Sequence, residues 1–145
     1  MGPNVIISKG FKVAAAATNV LFGRFCKFNA ADTGDVVTTS AIPAVPAVSA
    51  DYIVGVYMET IDAVKIATGK ATIGVHIAGI ARVIAGAAIA KGDRLSSDAT
   101  GRAVPITAGT GNNWCAGVAW TAAAAAGDVI DVYLTPGVTT NLGAT

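Results

Sequence analysis

Two segments of the chain follow one plan, and any fold of this chain must accommodate both. The first, "YIVGVYMETIDAVKIATGKATIGVHIAG" (52–79), is a strand-like run with Gly-Val, then a connector, a glycine, a second strand-like run and a closing glycine. The second, "WCAGVAWTAAAAAGDVIDVYLTPG" (114–137), has the same order, with Gly55 matching Gly117 and an equal interval between the last two glycines. Such self-similarity indicates a duplicated structural unit.

The stretches that precede these segments also correspond. "FCKFNAADTGDVV" (25–37) and "GDRLSSDATGRAV" (92–104) each contain two strand-like runs around a glycine turn. Aligning Gly34 with Gly101 places Phe28 on Leu95 and Val37 on Val104. We therefore interpret the chain as two related modules.

Helix signals are weak in both modules. The chain has 17 glycines, and short runs of β-branched and aromatic residues alternate with turn signals. We predict an all-β fold, a small β-barrel or sandwich built from two similar β modules with few short helical turns. The predicted divisions are an N-terminal arm (1–19), a first β module (20–84), a second β module (85–137) and a C-terminal tail (138–145).

The alanine run 122–126 occupies the connector position of the second module. Alanine carries no polar side chain, so this connector can form a single helical turn or lie flat against an apolar neighbour. Left in water, it would form a bare apolar patch. We expect it to pack on its own domain or on a second chain.

Charged residues are scarce. They make up 13% of the chain against 53% hydrophobic residues, whereas ordinary domains are about 25% charged. A membrane span is not expected, because the longest apolar stretch (77–93) is interrupted by Arg82 and Lys91 and a span needs about 20 apolar residues. A secretory signal peptide is not expected either, since Thr18 and Asn19 interrupt the N-terminal alanines.

The charge balance also argues against a nucleic-acid partner. The formal net charge is +1 and no basic run is present. Burial against other protein subunits is the remaining explanation for a chain with so little charge.

Residues with catalytic or metal-binding chemistry are few and scattered. Cys26 and Cys115 lack metal-ligand spacing, and we expect buried, reduced thiols. His76, the single histidine, lies in a predicted strand. The carboxylates sit mostly in turn-like contexts, where Asp bends and caps the backbone. We predict no catalytic residue, cofactor or metal; a small hydrolase using His76 with a cysteine is the alternative.

Three stretches of the second half resemble a known family. They are "GIARVIAGAAI" (79–89), "GDRLSSDATGRAV" (92–104) and "AGVAWTAAAAAGDVIDVYLTPG" (116–137). Their pattern of glycine, alanine and alternating aliphatic residues is similar to that of the capsid decoration, or head cement, proteins of tailed bacteriophages. The first half agrees more loosely, through "FCKFNAADTGDVV" and "VGVYM", and departs in the loop "IPAVPAVSADY".

The resemblance implies a structural virion protein that binds the outer surface of an assembled phage head and stabilises it. Its implied partners are the major capsid protein and further copies of itself, as a homotrimer, with neither nucleic acid nor membrane. It would be made in the cytoplasm of the bacterial host. The alternative within this class is another repetitive β component of the virion, such as a tail or fibre adaptor.

Several apolar residues are candidates for the subunit or capsid interface. The arm contributes aliphatic residues and one aromatic, and the two tryptophans are typical interface anchors. The candidates are Val5, Ile6, Ile7, Phe11, Trp114 and Trp120.

Overall fold

The computed structural model describes residues 7–40, 52–106 and 113–139. Within these ranges the fold is all-β with one short helix, as predicted. The elements in chain order are β1 (Ile7–Val13), β2 (Phe25–Phe28), β3 (Val36–Thr39), β4 (Ile53–Tyr57), α1 (Ala63–Ala67), β5 (Thr72–Ile84), β6 (Arg94–Ser97), β7 (Ala103–Pro105), β8 (Asn113–Ala119) and β9 (Val129–Thr139).

The first module is a closed barrel of five strands, in the order β1-β3-β2-β4-β5 with β5 pairing back onto β1. The β1–β3 pair is parallel and the other pairs are antiparallel. Every strand therefore has a neighbour on both sides, which removes free edges. The interior is filled by alternating inward side chains, among them Val13, Tyr57, Ile73 and Val75.

The second module uses the far half of β5. That half pairs with β9, and the sheet continues through β8 and β6 to β7. A parallel bridge between Ala85 and Ala103 brings β7 back beside the end of β5. Its core is separate from the first and includes Val83, Leu95, Ile130 and Val132.

The two modules repeat each other strand by strand. In each, a parallel contact (β1–β3, or Ala85–Ala103) completes a circuit of otherwise antiparallel pairs. Individual hydrogen bonds repeat as well: the Tyr57 N–H donates to the Arg24 carbonyl at 3.0 Å, and the Ala119 N–H donates to the Asp93 carbonyl at 2.9 Å. The duplication inferred from sequence is thus present in the fold, with β5 shared between its two copies.

The expected alignment of the copies is correct at Gly55 and Gly117 and wrong in the preceding turn. Phe28 faces Val37 across β2 and β3, and the corresponding pair is Ser97 and Ala103. Phe28 therefore corresponds to Ser97, and Val37 to Ala103. The glycine-based alignment failed because the turn of the first module (29–35) is longer than that of the second (98–102).

The segment predicted as an N-terminal arm contributes a full strand in its described part. Residues 7–13 form β1, which lies between β3 and β5 and is part of the barrel wall. Phe11 and Val13 point into the first core. Sequence pattern did not reveal this strand because Gly10 interrupts it and its first four residues are exposed.

Of the two conformations expected for the alanine connector, a helical turn or a flat segment, the structure has the flat one. The helix forms in the charged connector, where the Asp62 carboxylate caps α1 by accepting from the N–H groups of Val64 and Lys65. The alanine connector is instead held flat, with Ala123 and Ile89 exchanging two main-chain hydrogen bonds of 2.9 Å. Asp128 accepts from the N–H groups that follow Ala123, which bends the segment without a helix.

A tight turn at 98–102 fastens the second module to the first. The Asp98 carboxylate accepts from the N–H groups of Thr100 and Arg102, and Gly101 takes a φ of +85°. Two carbonyl groups of the turn accept hydrogen bonds from the first module. The Phe25 N–H donates to the Gly101 carbonyl at 2.7 Å, and the Arg24 guanidinium donates to the Thr100 carbonyl at 2.9 Å. The turn therefore joins the modules by hydrogen bonds, beside the apolar contact that Phe25, Ile53 and Val56 of the first module make within the second core.

Replacing either repeated strand glycine should destabilise the protein strongly. A Cβ on Gly55 would lie 2.0 Å from the His76 carbonyl oxygen, and a Cβ on Gly117 would lie 2.1 Å from the Tyr133 carbonyl oxygen. Both clashes are with backbone, so Gly55→Ala and Gly117→Ala should each cost about 3 kcal/mol or more of unfolding free energy. Gly10→Ala, where nothing lies within 4 Å, is the matched control and should stay within about 1 kcal/mol in urea titrations.

Removing the Asp98 carboxylate should loosen the contact between modules. Burial opposes its charge, but the N–H groups of Thr100 and Arg102 and the Arg102 side chain lower the pKa of Asp98 overall. A carboxylate with a lowered pKa stabilises the fold at neutral pH and loses that effect as the pH falls through its folded value. Asp98→Asn should therefore cost about 1–3 kcal/mol at pH 7.

The difference in stability between the native protein and Asp98→Asn should become smaller in acid, because the native Asp98 carboxyl is then protonated and neutral as well. Thermal melts of both proteins between pH 7 and pH 2 measure this. A stability difference between the two proteins that stays constant across that range would contradict the stabilising role of the ionised Asp98 carboxylate.

Candidate interaction surface

Large apolar side chains lie exposed on several elements of the described chain. Their presence follows from the shortage of charge: with 13% charged residues, polar groups cannot cover the whole exterior. The exposed large hydrophobics are Ile7, Phe22, Phe28, Tyr52, Met58, Val64, Trp120, Val129 and Tyr133.

One cluster lies on the second module, on the outward side of the β5–β9–β8 sheet. We call it the aromatic face. Inward residues such as Val83 and Val132 are buried, so the residues that alternate with them point outward. Trp120 and Tyr133 are 53% and 45% exposed, and their ring centroids are 6.1 Å apart. The aromatic face comprises Ile80, Arg82, Ile84, Val118, Trp120, Val129, Asp131 and Tyr133.

The first module provides an internal control for this face. Met58 N–H donates to Gly74 at 3.0 Å just as Trp120 N–H donates to Asp131 at 2.8 Å, so Met58 is the counterpart of Trp120. By the same register, His76 opposite Val56 corresponds to Tyr133 opposite Val118. The same fold therefore forms with smaller and more polar residues at these positions, so folding does not require the aromatic side chains.

A second exposed cluster lies on the first module. The rings of Phe28 and Tyr52 stack at 6.3 Å with an interplanar angle of 11°. Phe28 also meets the buried ring of Phe11 edge-on at 6.4 Å. Lys9 pairs with Asp35 and lies over the Phe11 ring, 4.6 Å from its centroid. We call Phe28 and Tyr52 the stacked pair.

The arm residues proposed for an interface have different surroundings. Ile7 is 52% exposed and available to a partner. Phe11 is 5% exposed and packs in the core of its own barrel, so its side chain offers little contact area to another subunit. Val5 and Ile6 lie outside the described residues.

Of the two tryptophans, Trp120 is exposed on the aromatic face. Trp114 lies in β8 with its backbone opposite Val138, and its side chain lies outside the described part of the structure. Sequence reasoning missed Val129 and Tyr133. The alternation in "DVIDVYL" carries the signal, since it places Val129, Asp131 and Tyr133 on one side of a strand.

The residues with nucleophilic or basic chemistry are kept apart. Cys26 lies fully buried in the first core, whereas His76 alternates with the buried Val75 and therefore faces outward. Burial raises the pKa of the Cys26 and Cys115 thiols and lowers the pKa of His76. Cys115 belongs to the second module. The expected buried thiols are confirmed, and no cysteine is placed to pair with the imidazole.

Within the described ranges, histidine, cysteine and acidic side chains do not come together in any group that could hold a metal ion. Among the same residues, no helix is long and apolar enough to cross a membrane. The exposed apolar clusters are the candidate interaction sites on the described surface.

Comparison with known proteins assigns the chain. A family model described as "Phage cement protein" matches residues 12–134. The chain belongs to the phage cement protein family. This confirms the resemblance noted in the second half and extends it across both modules, so the protein is a structural component associated with the phage capsid.

A solved structure has the same fold. It is the N-terminal base of the head fibre protein gp8.5 of bacteriophage phi29, with 18% identity, 90% of this chain and 95% of that chain covered, and a TM-score of 0.54. At this identity the likeness establishes the shared fold. No curated protein matches the sequence.

The buried thiols of this cement protein should react slowly in the folded state. Cys26 and Cys115 are buried, and a raised pKa leaves little thiolate at neutral pH. A colorimetric disulfide reagent should label neither thiol within minutes under native conditions and both at once in denaturant. Rapid native labelling of Cys26 would contradict the described core.

Proposed function

We propose that this cement protein acts as a homotrimer on the outer surface of the assembled phage head. It binds the major capsid protein there and stabilises the shell, and it catalyses no reaction. Synthesis in the bacterial host cytoplasm fits this role. The proposal is supported by family membership and by the presence of two separate exposed apolar clusters on one small chain.

The two clusters supply what a cement needs. Such a protein must contact the shell and hold its own copies together, and these tasks require different surfaces. The aromatic face and the stacked pair lie on different modules, because one is built on β5, β8 and β9 and the other on β2 and the residue before β4. Each can serve a separate contact.

The energetics of binding favour several modest contacts over a single strong one. A specific protein interface buries about 1,600 Å² in total. A trimer that contacts several shell subunits at once gains avidity, since the second and third contacts form within one complex. Because the protein binds the assembled shell and not separated subunits, each bound copy shifts the equilibrium towards assembly.

We assign shell contact to the stacked pair. Phe28 is 43% exposed and held in orientation by Tyr52 and Phe11. A pre-oriented aromatic side chain loses little conformational freedom on binding, which makes it an effective anchor.

Phe28→Ala should weaken binding to heads that lack the protein by at least about fivefold, the effect of losing one anchoring aromatic. Co-sedimentation of purified protein with such heads measures the affinity. Phe22→Ala is the matched control, because Phe22 is a similarly exposed phenylalanine (40%) outside the stacked pair, and it should bind as the unmodified protein does.

Equal loss in both variants would exclude the stacked pair as the shell contact. Failure of the unmodified protein to bind heads would overturn the proposal itself. Negative-stain labelling of whole particles separates the alternatives, since a tail or fibre adaptor would place the label away from the shell.

A further inference from the structure

The aromatic face carries two opposite charges at its middle. Arg82 on β5 and Asp131 on β9 are direct cross-strand neighbours in the sheet register. Apolar residues flank them along the same strands, with Ile80 and Tyr133 on one side and Ile84 and Val129 on the other. The face is therefore a largely apolar surface with a cation and an anion side by side at its middle, and Arg94, opposite Val118 on β6, adds a second cation at its edge.

Neither charged side chain has an ion-pair or hydrogen-bond partner within the described residues. The Asp131 backbone N–H donates to the Thr121 hydroxyl at 3.0 Å, a bond that does not involve the Asp131 carboxylate. The corresponding pair in the first module is Gly10 and Gly74, which carries no charge. The charged pair is therefore specific to the second module and is not a feature that the two copies share.

We propose that the aromatic face is the contact between copies of this chain, with Arg82 of one copy meeting Asp131 of the next. The inference rests on the proposed homotrimer and names the surface that forms it. A second copy is complementary to the face in charge, because each copy presents Arg82 and Asp131 and the cation of one copy can meet the anion of the other. A foreign partner would have to present the opposite arrangement independently.

The spacing of the two charges suits a closed ring. Because they are neighbours on adjacent strands, both lie at the same part of the surface and can sit beside one symmetry axis. In a cyclic assembly each copy then gives Arg82 to the next and Asp131 to the preceding copy, so every charge is paired. The exposed rings of Trp120 and Tyr133 cover this charged centre with apolar contact, which strengthens the ion pairs by excluding water.

Charge reversal tests the pairing between chains. Arg82→Asp gives a copy with two acids on the face, and Asp131→Arg gives a copy with two bases. Like charges should then oppose self-association, raising the dissociation constant at least about tenfold for each variant alone. Light scattering and analytical ultracentrifugation measure the mass over a range of concentrations.

Mixing the two variants tests whether the pairing runs between chains. In a mixed trimer two of the three contacts join opposite charges and the third joins like charges, so the mixture should associate more strongly than either variant alone and less strongly than the unmodified protein. Restoration on mixing cannot arise within one chain, which distinguishes it from a repair of the fold. The double variant Arg82→Asp/Asp131→Arg should also assemble, since its copies again carry both signs.

Matched controls come from the first module. Lys12→Asp reverses an exposed charge there and should leave the mass unchanged. Trp120→Ala should weaken self-association at least about tenfold, as the loss of an interface tryptophan does, whereas Met58→Ala, at the corresponding position, should not. Circular dichroism and thermal melts show whether each variant is folded.

The outcomes separate this inference from the proposed function. A chain that stays monomeric at every concentration, variants that assemble as the unmodified protein does, or a mixture that associates no more strongly than either variant alone would each overturn the inference. Binding to heads can persist in all three cases. Conversely, assembly with the expected charge dependence and no binding to heads would uphold the face and refute the cement role.

Discussion

The structure depends on the continuous pairing of β5. Its first half closes the first barrel against β1 and β4, and its second half carries the second module through β9. One strand of 13 residues therefore belongs to both cores. Glycine is required at Gly55, where β4 lies very close to the backbone of β5, and at the corresponding Gly117, where β8 lies very close to the backbone of β9. The turn at 98–102 and the first module's Phe25, Ile53 and Val56, which lie in the second core, also hold the modules together.

Duplication explains the architecture, and divergence between the copies explains the surface. Both modules use the same hydrogen-bond circuit, so corresponding positions point inward in each, as Val75 and Val132 illustrate. The outward positions are free to differ. Met58 and His76 in one module correspond to Trp120 and Tyr133 in the other, so the outer surfaces of the modules differ while the fold is the same.

Part of this could be predicted because its signal is local. Strands β5, β6, β8 and β9 show alternation and glycine boundaries, and Gly55 and Gly117 mark corresponding places. Strand β1 was missed because Gly10 and exposed residues hide its alternation, and it is held by distant partners. The helix went to the connector with Asp62 because an N-cap outweighs the helix propensity of a short alanine run. Trp120 was predicted as an interface candidate by itself, without its exposed neighbours on the adjacent strands.

The sequence by itself determined the all-β class, the duplication and the lack of charge. These follow from composition and from spacing along the chain. Only the tertiary structure decided that β5 is shared, that Phe11 is buried, and that Arg82 and Asp131 stand side by side among aromatic and aliphatic neighbours. Strand pairing joins residues far apart in sequence, and its register, which local pattern does not encode, decides which side chains meet.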